Sequence, residues 1–291
     1  LRSDVVGLFR PGHTLTALAA VALADRPAPL ARAVGFLAGA IHPSGALGWG
    51  PVPEYPTYAT SLAVRAFCAA GRRDDARPLV GFLTAQQLVG DGWGDHPARG
   101  GFPMGSPEAR VPPNPGHVDL SMTRHALEAL RAWGLPDDHP AWAEAARFVD
   151  RCRTADGGFR YSPVEAPLNK GETPESGYGT PSADGVLATR ALGRPVDLGF
   201  VVRSFRTDQN PGIGVPYGAY ARAMRFYWRA TAAAALRGQD QPAGWRDALR
   251  AAIVAEQQPD GSFVNELGQQ KENEPIVATA LAVLALRAAE G

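Results

Sequence analysis

The sequence predicts an all-α protein, an α/α toroid of about five to six helical hairpins arranged as an inner and an outer ring. Two observations carry this. Two-helix units recur along the chain, each followed by a Gly-containing turn that closes on an aromatic or apolar residue. Alternate helices are apolar almost all round, whereas their partners keep one charged face.

The turns read Gly48-Trp49-Gly50, Asp91-Gly92-Trp93-Gly94, Asp156-Gly157-Gly158-Phe159, Pro211-Gly212-Ile213-Gly214 and Asp260-Gly261-Ser262-Phe263. They lie roughly 45 to 65 residues apart, the length of two helices and a variable loop. Inner helices are expected near 13–25, 57–71, 118–134, 181–193 and 217–237, with 274–290 as an unpaired last one. Outer helices are expected near 28–41, 75–88, 140–153, 196–208 and 243–257. The inner assignment rests on runs such as Ala126-Leu127-Glu128-Ala129-Leu130, in which apolar residues cover nearly the whole circumference; the outer one rests on segments such as Trp142 to Val149. Glycine suits the turns because a helix that ends in the left-handed region disfavours side chains there. The Pro-rich segments 97–116 and 162–181 read as loops over the mouth of the ring, the face formed by the N-termini of the inner helices.

A chain of 291 residues with 45% hydrophobic and 20% charged residues can bury a large core, and the repeat makes one domain over 1–291 the expected organisation. Lys plus Arg (29) equals Asp plus Glu (29) without blocks of like charge, so nucleic acid is not an expected partner. The longest apolar run, Leu15 to Leu23, is too short to span a bilayer. Cys68 and Cys152 are far apart, and neither a disulfide framework nor a metal cluster follows from them. The chain starts at Leu1 and not Met, and export with removal of a leader is one expectation.

The run Phe82 to Trp93, with Gln86-Gln87 and Asp91-Gly92-Trp93, resembles the Gln-Trp repeat of squalene-hopene cyclases, as does Ile253 to Phe263 with Gln257-Gln258. Phe148 to Phe159 is a weaker copy, and Phe205 to Ile213 a degenerate one. The chain is thereby similar to the superfamily of terpenoid cyclases and protein prenyltransferases. That resemblance implies the toroid, with each Gln capping a helix end and packing on an aromatic ring. It also implies points of departure. The Asp-x-Asp-Asp string that supplies the acid of the cyclases does not occur, and Asp74-Asp75 and Asp137-Asp138 fall in polar connections. Prenyltransferase β subunits hold zinc with Asp, Cys and His near the mouth. Here Cys68 falls about 11 residues into its helix, roughly 16 Å along the axis and toward the other end. Cys152, in Asp150-Arg151-Cys152, ends an outer helix. No metal and no cofactor are expected.

Candidate polar residues at the mouth are Tyr58, His117, Asp119, Tyr178, Asp184, Tyr217, Tyr220, Asn273 and Glu274. Asp119 has the position of a helix N-cap, and Asp184 lies in an apolar segment where an acid needs a basic partner or a cavity. These two are the candidate catalytic acids. Aligning the inner helices places Arg65, His125, Arg190 and Arg222 at equivalent positions, where they are expected to meet Asp184 or bind a diphosphate or carboxylate. Arg222, Arg225 and Arg229 share a helical face. Aromatic residues concentrate in one inner helix, Tyr217, Tyr220, Phe226, Tyr227 and Trp228, a one-sided supply for stabilising a cation. Three readings remain open. One is a divergent cyclase-like or prenyltransferase-like protein with a central pocket for an isoprenoid-like or amphiphilic ligand. Another is a non-catalytic binding module presenting loops 97–116 and 162–181. The third is a carbohydrate-active α/α barrel using Asp119, Asp184 and Glu274.

Overall fold

The computed structural model describes residues 12–50 and 53–290, and in them every regular element is helical. The inner ring consists of α1 (His13–Ala22), α3 (Pro56–Ala69), α5 (Leu120–Trp133), α7 (Gly179–Ala191), α10 (Arg225–Leu236) and α12 (Pro275–Glu290). Each packs on the next, and α12 packs back on α1, so the ring closes. The outer elements are α2 (Pro27–Ala38), α4 (Arg77–Gln86), α6 (Pro140–Arg151), α8 (Gly199–Ser204) and α11 (Trp245–Val254); α9 (Gly218–Ala223) is a short extra turn.

Burial follows the sequence pattern. From Gly179 to Thr189 every residue of α7 is buried, as a helix packed on both sides requires. In α6 only one face is covered, by Ala141, Trp142, Ala145, Phe148 and Val149, while Ala143, Arg147 and Asp150 face solvent. Small residues let the inner helices approach closely. At Gly185 a Cβ would stand 2.4 Å from the Phe159 ring, so that turn aromatic fits only against a glycine.

The turns are fastened to the inner ring by a repeated bond. The backbone N–H of Leu47, Phe102, Phe159 and Phe263 donates to the hydroxyl of Thr60, Thr123, Ser182 and Thr279, at 2.8, 3.1, 3.0 and 3.0 Å respectively. Each hydroxyl sits in the first turns of the inner helix that follows, so α3, α5, α7 and α12 are each locked to the preceding turn through a backbone amide, whereas among the described residues the turn at 211–214 makes no such bond to α10. The two better Gln-Trp-like copies differ in what they tie. Gln87 donates to Gly100 and to Ala141 at the start of α6, joining two hairpins, and Trp93 is buried. Gln257 and Gln258 only close their own turn, although Phe263 is buried against Phe226. Trp49, in the first turn, is half exposed.

Two helices depart from expectation. The inner helix expected over 217–237 breaks at Met224 (φ −115°, ψ 23°) into α9 and α10. The carboxylate of Glu272 accepts the N–H groups of Phe226 and Tyr227 at 3.0 and 2.7 Å, so the new helix start is capped from the loop before α12. The outer helix expected over 196–208 shortens to α8, beginning where Asp197 accepts the Gly199 N–H. No described helix is long and apolar enough to cross a membrane.

Candidate functional site

The lumen holds two chambers. Leu18, Tyr58, Tyr227 and Leu281 line both and form the partition. The mouth chamber, about 370 Å³, lies at the N-termini of the inner helices under the loops 97–116 and 162–181. Both loops are pinned: Ser106 and Gln86 exchange two hydrogen bonds, and so do Ser162 and Asn169. They contribute Met104, Leu168 and Lys170 to the chamber wall. Tyr55, Tyr58, Tyr161, Tyr178 and Tyr227 also line it, from four sides of the ring. The one-sided aromatic supply expected from the sequence therefore does not describe the chamber.

Asp119 is wholly buried in its wall. It caps α5 as expected, Oδ1 accepting the Met122 N–H at 2.7 Å. Its other oxygen, Oδ2, accepts the Tyr161 hydroxyl at 2.8 Å and lies 2.8 Å from Nε2 of His117. Nδ1 of His117 is in turn 2.9 Å from Glu165, whose side chain reaches partly into solvent. Burial lowers the affinity of His117 for its second proton, but the hydrogen bonds and charges of Asp119 and Glu165 outweigh this, and its pKa is raised. His117 thus links a solvent-facing carboxylate to a buried one. Across the chamber, Lys170 stands over the rings of Tyr161 and Tyr220, with its pKa lowered by burial against the pull of Asp119.

Asp184 lies at the partition. The Tyr227 hydroxyl donates to it at 3.1 Å, with Ser121 2.6 Å beyond, and Nε of Arg124 is 3.3 Å away. Burial raises its pKa to about 6, against the lowering effect of Arg124, Tyr227 and Ser121. The network continues through Arg124 to Glu128 (3.2 Å) and on to Arg65 (2.9 Å). Asp184, Arg65 and His125 therefore meet in one polar region. The residue that pairs with the acid is Arg124, one position before the aligned His125. His125 is packed edge-on against Tyr58, and burial, aided by Arg124 and Arg65, keeps it neutral.

Below the partition the second chamber, about 680 Å³, opens toward the C-termini of the inner helices and is lined by Arg65, Arg124, Arg190, Arg237 and Arg287. Arg190 donates to the carbonyls of Ala234 and Ala235 at the end of α10.

Most of the other candidates lie outside both chambers. Arg222 is exposed, because the break at Met224 takes α9 out of register with α10. Arg225 and Arg229 point outward and share Glu256. Trp228 is buried between the rings, its indole N–H donating to Arg206, and Phe226 packs on Phe263. Tyr220 touches Lys170 but is not part of the wall, and Tyr217 stacks edge-on against Tyr220 beside it. Glu274 is buried before α12 without facing the chamber; two residues earlier, Glu272 does face it, with a pKa raised to about 7 by burial. Asn273 is exposed. Cys68 lines the C-terminal chamber and Cys152 is buried at the end of α6. Residues around the mouth chamber that were unforeseen in the sequence include Tyr161, Glu165, Lys170 and Glu272, which lie on irregular connections. Their only early signal was that the loops carrying two of them were long.

Comparison with solved structures gives the same architecture. The type II terpene cyclase MstE from Scytonema, in its apo form, superposes with a TM-score of 0.61 at 16% identity, over 96% of this chain and 88% of that one. The fold is terpenoid cyclase-like. A variant of MstE in complex with its substrate, geranylgeranyl dihydroxybenzoate, matches with a TM-score of 0.60 at 14% identity, over 97% and 90% of the two chains. A protein from Actinoplanes matches with a TM-score of 0.58 at 18% identity, over 98% and 92%. No protein-family model matches the sequence, and no curated protein does.

Proposed function

We propose that this chain binds an isoprenoid chain in the mouth chamber and cyclises it by protonation, with Asp119 as the proton donor. The observation that carries the reading is the buried Asp119 carboxyl, set in a Tyr- and aliphatic-lined chamber and joined to Glu165 through His117. Protonating an alkene is uphill, and a donor is helped when the carboxylate it leaves behind is already solvated by fixed groups. Met122 N–H, Tyr161 and His117 converge on Asp119 for that purpose, and the α5 N-terminus adds its dipole. The proton adds to one carbon of a double bond. The cation formed at the other carbon is attacked by the π pair of the next double bond, closing a ring. Loss of a proton from a neighbouring carbon ends the sequence, so the product is an isomer of the substrate. The tyrosine faces and apolar walls protect the cation from water. Glu165 and His117 then return a proton to Asp119. Asp184 is the weaker choice of donor, because it is held by Arg124 at the partition. The superposition with a cyclase of a geranylgeranyl substrate supports an isoprenoid as ligand.

The test is incubation with geranylgeranyl and farnesyl polyenes in D₂O, read by mass spectrometry for cyclic isomers carrying one deuterium. Asp119→Asn should lower their formation by about 10²- to 10⁴-fold without unfolding the protein. A wild-type protein that binds these polyenes but leaves them unchanged would instead support a non-catalytic binding module, the reading favoured by the role of Asp119 as a helix cap.

A further inference from the structure

We propose that the C-terminal chamber is a second binding site, for a ligand bearing a multivalent oxyanion of the phosphate or diphosphate kind. Five arginines line this cavity of about 680 Å³, and among the described residues that line it Glu128 is the only acid. The whole chain is electrically neutral, so this is a local concentration of charge and not a reflection of general basicity. Glu128 is already shared by Arg65 and Arg124.

Of the remaining three guanidinium groups, Arg190 and Arg237 have no ion pair among the described residues, while Arg287 is paired with Asp25. Arg190 spends both terminal nitrogens on the neutral carbonyls of Ala234 and Ala235, and Arg287 donates to the Ala22 carbonyl with Asp25 at 3.4 Å. Arg237 has no hydrogen-bond or ion-pair partner among the described residues. These three arise from α7, the end of α10 and α12, and so face the cavity from separate parts of the ring. Helix C-termini carry partial negative charge, roughly half an elementary charge each, which stabilises arginines there. That dipole accounts for the residues that cap carbonyls. It does not account for Arg237, which caps none. A concave, one-signed surface with aliphatic walls such as Leu62, Leu187 and Leu284 focuses its field into the cavity, and guanidinium forks match phosphate oxygens.

This inference does not rest on cyclisation. It is tested by calorimetric titration of the full chain with inorganic diphosphate at low ionic strength, using wild type, Arg237→Glu, Arg65→Gln and Lys170→Ala. One site per chain is expected, weakened about tenfold or more by Arg237→Glu. Because Arg237 is exposed and makes no bond, that variant should melt like wild type. Arg65→Gln should weaken binding as well, and Lys170→Ala, at the mouth, should leave it unchanged. Absence of binding to wild type overturns the proposal, as does binding lost in Lys170→Ala but kept in Arg237→Glu. Repeating the titration with farnesyl diphosphate separates two sources of the anion. Much tighter binding than inorganic diphosphate assigns it to the head of an isoprenoid, and equal binding assigns it to a separate small ligand. Asp119→Asn should retain diphosphate binding, so loss of turnover and loss of this site are distinguishable.

Discussion

The two ends of the lumen are built from the same six helices and carry opposite chemistry. At the N-terminal end stand carboxylates, Asp119 capping α5 and Glu272 capping α10, with hydroxyls and loops closing over them. At the C-terminal end stand arginines, several bonded to the last carbonyls of the neighbouring inner helix. Arg131 donates to Ala191, Arg190 to Ala234 and Ala235, and Arg287 to Ala22. The difference shows that the parallel inner helices impose a polarity on the cavity. Unpaired amides at one face select anions and unpaired carbonyls at the other select cations, whatever chemistry is then added.

The largest effect is expected where the two regimes meet. Arg124→Ala removes the group between Asp184 and Glu128 and should cost about 3–5 kcal/mol in chemical denaturation, because the buried Asp184 loses its cationic partner and half-buried Glu128 keeps only Arg65. A loss under about 1 kcal/mol would show that the partition is not held by charge. The pH dependence is the next test. With its folded pKa raised to about 6, against about 3.9 in the unfolded chain, Asp184 binds its proton more tightly when folded. Its stabilising contribution is complete below about pH 4 and is lost as pH rises to about 6. The stability difference between wild type and Asp184→Asn should therefore shift by on the order of 2 kcal/mol between pH 4 and pH 7, wild type doing relatively better at the acidic end. An unchanged difference would place Asp184 in a more polar setting than the partition.

Smaller effects compare the ends themselves. At the mouth, Asp119→Ala should cost about 1–2 kcal/mol through loss of the cap, and equal melting temperatures would remove Asp119 from the α5 terminus. At the other end, Arg190→Ala should cost about 0.3–1 kcal/mol, and this cost should shrink in high salt. If the arginine variant were the more damaging, the carbonyl caps would be structural keystones and the charge of that chamber a by-product.

Much of the ring was legible because its cause is local. The run Ala126 to Leu130 marks an inner helix and 140–153 has one apolar side, and α5 and α6 occupy the spans 118–134 and 140–153 to within two residues at each end. The Asp119 cap could be read from its place before Leu120-Ser121, since capping needs only the neighbouring amides. Of the equivalent positions along the repeat, Arg65, His125 and Arg190 line one chamber. Arg222 does not, because the carboxylate that caps α10 comes from Glu272, almost fifty residues downstream.

What the sequence by itself determined was thus the helical repeat, its inner and outer faces and the cap at Asp119, all products of interactions within a few residues. The tertiary structure alone decided the rest. Asp184 met Arg124 across two helices, His117 joined Asp119 to Glu165 from a loop, and five arginines scattered between positions 65 and 287 came to face one cavity. Each of these depends on closure of the ring, which sets the distance between side chains far apart in sequence. No local pattern encodes that distance, because pairing energies between charges arise only once both are desolvated and a few ångströms apart.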